Sequence, residues 1–312
     1  MAEAGLLPVD IGAYRTGNTG IAAVTTFDSR RAGPHVMVAA VTHGNELCGA
    51  YVLDFLFRSD IRPSRGRLTL GFMNIDAYDS FDPALPRASR FIEEDLNRLW
   101  NAAVLDGPRT STELRRAREL RPLIDTVDAL LDIHSMQHPT APLALAGPLA
   151  KGRHFAEAIG YPAHVICDAG HSAGRRLRDY GAFADPASPR NALLVECGQN
   201  EDPAGIAVAR QATLRFLVQT GVVALDAVTG WLPPELPPPQ NVIVVTETVT
   251  VASPDFDFVE PFIGMEVIPR AGTPFARDGR RTLRTPYDNC VLIMPNPRRR
   301  IGDTAVRLGR FV

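Results

Sequence analysis

Continuous apolar runs that stop abruptly at a polar side chain are the main pattern of this chain. Residues 36–42 end at His43, residues 129–133 end at His134, and residues 192–195 end at Glu196. Short apolar runs bounded by turn residues are typical of buried strands in a largely parallel sheet. In open α/β sheets, ligands bind outside the carboxyl ends of the strands. We therefore predict that these polar residues meet at one edge of a sheet, where active sites are usually built.

Helix-like and strand-like segments alternate along the first three quarters of the chain. The pattern predicts an α/β sandwich around a largely parallel sheet. The long segment 76–109 has little periodicity and contains several prolines, so we predict a functional loop there, and a second polar loop over 168–190. The predicted strands are 21–27, 36–42, 67–75, 127–133, a short one near residue 165, the run ending at Glu196, and 242–251; the predicted helices are 47–57, 113–124, 151–159 and 204–219.

A proline-rich stretch, LPPELPPP at residues 232–239, is the clearest boundary in the sequence. Proline-rich segments are semi-rigid and extended, which suits a spacer between folded units. We predict a catalytic α/β domain over 1–231, a linker over 232–240, and a small C-terminal β domain of short strands and turns over 241–312.

Composition narrows the class of protein but does not identify it. The chain has 312 residues, of which 45% are hydrophobic and 22% are charged. These values are ordinary for a soluble globular protein. The formal net charge of −2 gives no reason to expect a nucleic-acid partner. No apolar run is long enough for a membrane span, and residues 1–8 lack the pattern of a signal peptide. Four scattered cysteines without a C-x-x-C pair indicate a reduced, cytoplasmic protein. The basic run 298–300 is predicted to be a solvated surface turn, and a homo-oligomer is left open.

His43 and Glu46 are spaced so that one metal ion can reach both at a strand-to-helix turn, and His134 would complete the set. Three protein ligands with an open position for water are typical of catalytic zinc, which lowers the pKa of its water to about 7. We predict one Zn²⁺ per chain. The alternative is that these are ordinary core or surface side chains, and the ligand types do not exclude cobalt, nickel or iron.

Two further carboxylates lie beside the predicted metal site. Asp132 precedes His134 by two residues, so on a strand both point to one face, and Asp132 is either a hydrogen-bond acceptor for the imidazole or a solvated strand end. Glu196 closes an apolar strand, and a buried carboxylate there requires a partner. Beside a metal it would be the general base for the attacking water; the alternative is a structural ion pair.

Four motifs together resemble the aspartoacylase and succinylglutamate desuccinylase family, a branch of the zinc carboxypeptidase fold. They are HGNE at 43–46, RFIEEDLNR at 90–98, DIH at 132–134 and VECG at 195–198. The resemblance extends over nearly the whole chain. It implies a zinc carboxypeptidase-like α/β/α sandwich with a mixed, mostly parallel sheet, followed by a small C-terminal β domain.

The resemblance also implies roles for individual residues. Zinc would be held by the two histidines and Glu46, and Glu196 would be the general base and proton shuttle. Arg90 matches the family arginine that polarises the scissile carbonyl and stabilises the oxyanion. Asn97 and Arg98 match the pair that binds a substrate carboxylate, a role that suits the planar fork of arginine.

Two positions match the family loosely. Tyr287 lies about where the family places a tyrosine of the substrate pocket, although it also fits an ordinary turn. Members with a strict aspartate preference carry an arginine about ten residues before the general base, but here that position is Pro186. We assign Arg178 to substrate binding in its place, from four nearby arginines, which are Arg175, Arg176, Arg178 and Arg190.

The sequence thus predicts a zinc-dependent amidohydrolase, a deacylase that hydrolyses the amide bond of a small N-acyl amino acid or a related carboxylate-bearing amide through metal-activated water. A zinc carboxypeptidase acting on short peptides could use the same metal and arginines. A non-catalytic protein that binds a metabolite in the same pocket is the alternative from another class.

Overall fold

The fold is described from a computed structural model that covers residues 5–170, 173–297 and 300–312. Part of the N-terminal segment 1–8, two residues of the predicted loop 168–190, and Arg298 and Arg299 of the predicted surface turn lie outside these described residues.

The described chain contains six α-helices and fourteen strands, numbered here in chain order. The helices are α1 (Cys48–Arg58), α2 (Ile75–Asp79), α3 (Ala102–Leu105), α4 (Thr112–Ile124), α5 (Ala150–Ile159) and α6 (Ala204–Gln219). The strands are β1 (Val24–Asp28), β2 (His35–Ala40), β3 (Arg67–Phe72), β4 (Ala129–Met136), β5 (Leu143–Leu145), β6 (His164–Cys167), β7 (Asn191–Gln199), β8 (Asn241–Thr250), β9 (Phe256–Phe258), β10 (Val267–Ile268), β11 (Pro274–Asp278), β12 (Arg281–Arg284), β13 (Cys290–Ile293) and β14 (Thr304–Phe311).

One large mixed sheet organises the molecule, with strand order β1-β3-β2-β4-β7-β5-β6-β8-β14-β13-β10. Its central strands β3, β2, β4 and β7 are parallel neighbours, whereas β5 runs antiparallel to β7. The strands β9, β11 and β12 form a separate antiparallel sheet. Because β2, β4 and β7 are adjacent and parallel, the segments that follow them leave the sheet at the same edge.

Both faces of the central strands are buried, which explains their nearly continuous apolar sequences. Val36 and Val38 of β2 face a core that includes side chains of α1, α5 and α6. Met37 and Ala39, the intervening residues, face a second core that includes Leu114 and Leu120 of α4. The helices therefore cover both sides of the sheet. The predicted α/β/α sandwich with a mixed sheet is confirmed.

The predicted elements match the observed ones closely, with two informative differences. The segment predicted as a long loop over 76–109 contains short helices, including Pro86–Arg90 and Leu96–Arg98, which are 3₁₀-helical. These are too short to produce a periodic pattern. The three-residue strand β5 had no distinct signal for the same reason.

Strand β8 connects the central sheet to the C-terminal strands. It pairs in parallel with β6 and antiparallel with β14. The proline-rich segment just before it has no regular secondary structure. The division into a catalytic domain, a linker and a C-terminal domain stays a prediction. Among the described residues, no helix combines the length and apolar character needed to cross a membrane.

Candidate metal centre and active site

The turn after β2 places His43 at the sheet edge. Val41 has a positive φ of 56°, an uncommon conformation for a β-branched residue, and this turns the chain sharply at the end of the strand. Gly44 follows, where an added Cβ would lie 2.3 Å from the backbone of Ala77 and 2.4 Å from that of Ser89. The Gly44 N–H donates to the Arg90 carbonyl oxygen at 3.2 Å. A glycine is required here because the segment that carries Arg90 lies directly against it.

His43, Glu46 and His134 form a buried group whose ligand atoms all lie within 4.8 Å of one another. His43 Nδ1 lies 2.8 Å from Glu46 Oε1, and His134 Nδ1 lies 2.7 Å from Glu46 Oε2. The parallel pairing of β2 with β4 brings the histidines together, although they are far apart in sequence. The three residues are at most 3% exposed.

The opposite ring nitrogens are oriented by two other carboxylates. Asp95 Oδ1 lies 2.8 Å from His43 Nε2, and Asp132 Oδ2 lies 2.9 Å from His134 Nε2. Each ring thus lies between two carboxylates, which only accept hydrogen bonds, and a neutral ring with its one N–H can donate to only one of them. When the rings donate from Nε2 to Asp95 and Asp132, both Nδ1 lone pairs face the Glu46 carboxylate. Lone pairs that converge at this distance repel one another unless a cation lies among them, so the donor set fits a divalent metal ion.

The pKa values of Glu46 and His134 also fit a metal site. Burial alone would raise the pKa of Glu46, but the charges of His43 and His134 outweigh it and hold that pKa well below its usual range. Burial would lower the pKa of His134, but Asp132 and Glu46 outweigh it and raise that pKa well above its usual range. In the absence of a metal ion, the raised pKa keeps the His134 imidazole protonated. Its positive charge then occupies the place where a metal ion would provide positive charge.

Asp95 connects the metal group to two arginines. Arg90 donates to Glu46 Oε1 at 2.9 Å and to Asp95 Oδ2 at 3.1 Å, and the Arg98 guanidinium lies 3.8 Å from Asp95. Burial would raise the pKa of Asp95, but His43 and the two arginines outweigh it and hold that pKa well below its usual range. Asp95 lies within the RFIEEDLNR motif, but no role for it was predicted from the sequence.

A buried carboxylate, Glu113 at the start of α4, fixes the loop that carries these arginines. Glu113 accepts backbone N–H hydrogen bonds from Ile92 at 2.6 Å, Glu93 at 3.1 Å and Glu94 at 3.2 Å. It is completely buried. Because an acceptor of several backbone hydrogen bonds fixes the path of a chain, Glu113 positions the 90–98 segment against the metal group. The only sequence signal for this role was an acidic residue in an otherwise core-facing helix position.

Glu196 lies beside His134, because β4 and β7 pair His134 directly with Glu196. Its Oε2 is buried without a hydrogen-bond partner among the described residues. Burial raises the pKa of Glu196 to about 7, an effect that the charge of His134 partly offsets. A carboxylate with this pKa can accept and return a proton near neutral pH, as a general base must.

A cavity of about 660 Å³ opens over these groups. The metal-ligating group, Glu196, Arg90, Asn97 and Arg98 all line it. Asn97 is buried, with its Oδ1 accepting from the Leu177 N–H at 2.7 Å and its Nδ2 lying 3.3 Å from His134 Nε2. The structure thus brings most of the predicted site residues to one cavity.

Two predicted substrate-binding residues do not reach this cavity. Arg178 lines a separate cavity and donates to the carbonyl oxygens of Ala146 at 2.9 Å and Ala192 at 3.0 Å. Tyr287 lies in the C-terminal part, where its hydroxyl is 2.5 Å from Thr246 Oγ1. Both side chains have structural partners, and neither is placed to contact a ligand at the metal group.

The arginines that line the cavity instead are Arg176, Arg300 and Arg307, in addition to Arg90 and Arg98. Arg176 was one of the four candidates near Pro186, but sequence alone could not show which of the alternating side chains faces inward.

The sequence similarity of this chain to a known family covers the residues of the metal group. The profile of the Succinylglutamate desuccinylase/Aspartoacylase catalytic domain matches residues 32–216, more than half of the chain. The chain belongs to the succinylglutamate desuccinylase/aspartoacylase family. The resemblance found in the motifs is confirmed, and members of this family are deacylases that hydrolyse amide bonds.

Several solved structures show the same fold over nearly the whole chain. Succinylglutamate desuccinylase from Vibrio parahaemolyticus superposes with a TM-score of 0.66 at 20% identity, covering 93% of this chain and 86% of that one. The Vibrio cholerae enzyme gives 0.65 at 23% identity, covering 92% and 85%. The product-bound ectoine utilization protein EutE (DoeB) from Ruegeria pomeroyi gives 0.63 at 16% identity, covering 92% and 88%. At these identities the likeness establishes the fold.

A curated relative matches over a shorter stretch. N-acyl-aromatic-L-amino acid amidohydrolase (carboxylate-forming) A from Danio rerio is 34% identical over 109 residues. The match spans about a third of each protein, 32% of this chain and 32% of the relative. Family membership therefore rests on the catalytic-domain profile.

Proposed function

We propose that this protein is a zinc-dependent deacylase that hydrolyses the amide bond of a small N-acyl amino acid or a related carboxylate-bearing amide. The observation that carries the proposal is the buried group of His43, Glu46 and His134 beside Glu196, in a cavity lined by arginines. When bound, a zinc ion supplies Lewis acidity, which lowers the pKa of water toward about 7 and polarises a carbonyl.

The protein's own residues supply the proton transfers. Glu196, with a pKa raised to about 7, accepts a proton from the attacking water and returns it to the nitrogen of the leaving amine. The C–N bond breaks and the products are a carboxylate and a free amine, so no other reactant is needed. Asp95 and Asp132 lie beside the Nε2 atoms of His43 and His134 and would accept their hydrogens, which would leave the two Nδ1 atoms available to hold the ion.

Arg90 is the candidate for stabilising the oxyanion. Its guanidinium reaches the metal group at Glu46 and its side chain lines the cavity, so its charge lies where negative charge develops on the carbonyl oxygen. Arg98, which shares the same cavity, is the candidate for the substrate carboxylate. Among the described residues, the Arg98 guanidinium donates one hydrogen bond, from Nη1 to the Asn97 carbonyl oxygen at 2.8 Å.

The amine-release assay tests the reaction class. Zinc-loaded protein should release free amine from at least one member of a panel of N-acetyl and N-succinyl amino acids, and a chelator should abolish the release. A tripeptide with the same terminal residue separates deacylation from carboxypeptidase activity, the main alternative. Zinc-bound protein that binds panel members tightly without turnover would contradict the proposal and favour a metabolite-binding role.

Variants test the assigned roles. Arg90→Ala should lower kcat by about 100-fold or more while zinc content is unchanged, because one oxyanion donor is lost. Arg87→Ala is the matched control, since it lies in the same short helix and does not line the cavity. Glu196→Ala should retain zinc and lose turnover. If Glu196→Ala lost its zinc, Glu196 would be a metal ligand, which would contradict its assignment as the general base.

A further inference from the structure

The side-chain amide of Asn97 lies in the cavity wall next to Arg98, and a distant part of the chain fixes its orientation. Its Oδ1 accepts a hydrogen bond from the Leu177 N–H at 2.7 Å. A backbone N–H can only donate, so the amide cannot turn over without losing this bond. The Asn97 NH2 group is therefore turned toward the metal group, where Nδ2 lies 3.3 Å from His134 Nε2. When His134 Nε2 donates to Asp132, it cannot accept from Asn97, and the Asn97 N–H donors are left for a ligand.

The Leu177 N–H is available to Asn97 because it begins a short 3₁₀-helix, Leu177–Asp179. The first N–H groups of a helix have no acceptor within the helix, so a side chain outside it can take this role. The segment before this helix lies directly against the loop that carries Asn97. A Cβ added to Gly174 would lie 2.3 Å from the Arg98 carbonyl oxygen. The path of residues 174–177 therefore determines where the Asn97 amide is held.

Arg176 fixes that path, because both sides of its guanidinium are held by carboxylates. Nη2 and Nη1 donate to the two oxygens of Asp168 at 2.7 and 3.1 Å, and Nε donates to Asp179 at 2.7 Å. Asp168 directly follows β6, which is paired on both sides, with β5 and with β8. Its carboxylate also forms an ion pair with Arg307 of β14, at 3.7 Å. Because a bidentate pair fixes direction as well as distance, Asp168 connects the loop of Arg176 to the large sheet.

The pair of Asp168 and Arg176 is deeply buried, at 3% and 4% exposure. Burial would raise the pKa of Asp168, but the charge of Arg176 outweighs it and lowers that pKa below its usual value. Separating the two groups would leave two buried charges without partners, which is far more costly than opening an exposed pair. The pair therefore holds the backbone next to Arg176 in one position.

We propose that Asp168 is a positioning residue that acts on the substrate through Asn97. Its ion pair with Arg176 holds the Leu177 N–H in place. That N–H keeps the NH2 group of Asn97 directed toward a substrate carboxylate bound at Arg98. Asp168 is not among the described residues that line the cavity, so it acts without touching the substrate. The inference rests on the proposed deacylase function, in which Arg98 binds the carboxylate.

An N-acyl amino acid that the wild type hydrolyses, compared with its C-terminal carboxamide, tests the proposal. The two substrates differ in the charge that the Asn97 donor would meet. Asp168→Asn in the zinc-loaded protein should raise KM for the acid by roughly 10-fold, the effect of losing one hydrogen bond to a charged group. The value of kcat should stay nearly the same, because the carboxylate contact is made equally in the ground state and the transition state. The kcat/KM for the carboxamide should change much less.

A double-variant cycle shows whether Asp168 acts through Asn97. Asn97→Ala alone should raise KM for the acid, and adding Asp168→Asn to it should raise KM no further, because residues in one network are not additive. Asp278→Asn is the matched control. Asp278 is also a buried carboxylate, which accepts the Ala252 N–H at 2.9 Å outside the described cavity wall. Its loss should lower the melting temperature and leave KM unchanged.

A milder variant covers the case in which Asp168→Asn does not fold. Arg176→Lys keeps a positive charge opposite the two carboxylates but loses the bidentate contact, so it should raise KM for the acid in the same selective way. Unchanged KM in the folded variants would overturn the inference. So would additive effects of Asp168→Asn and Asn97→Ala, or equal losses for acid and carboxamide, which would make Asp168 only structural. These outcomes leave the deacylase function intact, whereas no chelator-sensitive hydrolysis by wild type would refute that function itself.

Discussion

Replacing Glu196 by glutamine should stabilise the metal-free protein at neutral pH although it removes the proposed general base. Burial raises the pKa of Glu196 from 4.5 to about 7, so the folded protein disfavours the ionised carboxylate. At one pKa unit per 1.36 kcal/mol, this difference of about 2.5 units corresponds to about 3 kcal/mol. Glutamine has nearly the same shape and resembles the protonated carboxyl, but it cannot ionise.

The sign of the effect follows from linkage. The folded-state pKa is raised, so the unfolded chain releases this proton first, and the contribution of Glu196 to stability falls as pH rises from 4.5 to about 7. Above about pH 7 no further stability is lost, because Glu196 is ionised in both states. The stabilisation by Glu196→Gln should therefore be about 1 kcal/mol at pH 5.5 and about 3 kcal/mol at pH 8.

The assay is urea or thermal unfolding of chelator-treated protein at pH 5.5 and pH 8. At roughly 2 °C per kcal/mol for a chain of this size, the melting temperature should rise by about 6 °C at pH 8 and by about 2 °C at pH 5.5. Glu247→Gln, on the exposed part of β8, is the control and should show no such pH-dependent gain. An unchanged or lowered stability of Glu196→Gln at pH 8 would refute the reasoning, because it would mean that the ionised carboxylate is well partnered in the folded protein.

Three other substitutions test how the site is held. Asp95→Asn removes the carboxylate that orients His43, so zinc affinity should fall about 10- to 100-fold in competition with a chromogenic chelator; unchanged affinity would contradict that role. Glu113→Gln leaves backbone N–H groups poorly paired and should lower the free energy of unfolding by about 3 kcal/mol, whereas a loss below about 0.5 kcal/mol would contradict its anchoring role. Gly44→Ala places a Cβ 2.3 Å from the backbone of Ala77 and should lower both the stability and the turnover. Gly230 has open space around it, so Gly230→Ala should change neither. Equal behaviour of the two variants would contradict the requirement for a glycine at position 44.

The sequence by itself determined the features that depend on local pattern. The apolar runs identify β2, β4 and β7, the spacing of His43 and Glu46 fits one metal ion, and the motifs identify the family. These signals are strong because side-chain periodicity and turn chemistry act over a few residues. Local pattern also placed α6 at the residues where the structure has it.

Only the tertiary structure decided which distant side chains share the cavity. Arg178 was the arginine chosen from the sequence near Pro186, yet Arg176 is the one of the four that lines the cavity over the metal group. The contacts of Asp95 and Glu113 depend on the 90–98 segment lying against His43 and α4, and the place of Arg307 in the cavity wall depends on the pairing of β14 with β13 and β8. Strand register and loop path are set by long-range packing, and a shift of one residue reverses the direction of a side chain. The candidate catalytic and metal-binding residues can therefore be predicted from local motifs. The other residues that line the cavity are determined only by how the strands and loops assemble.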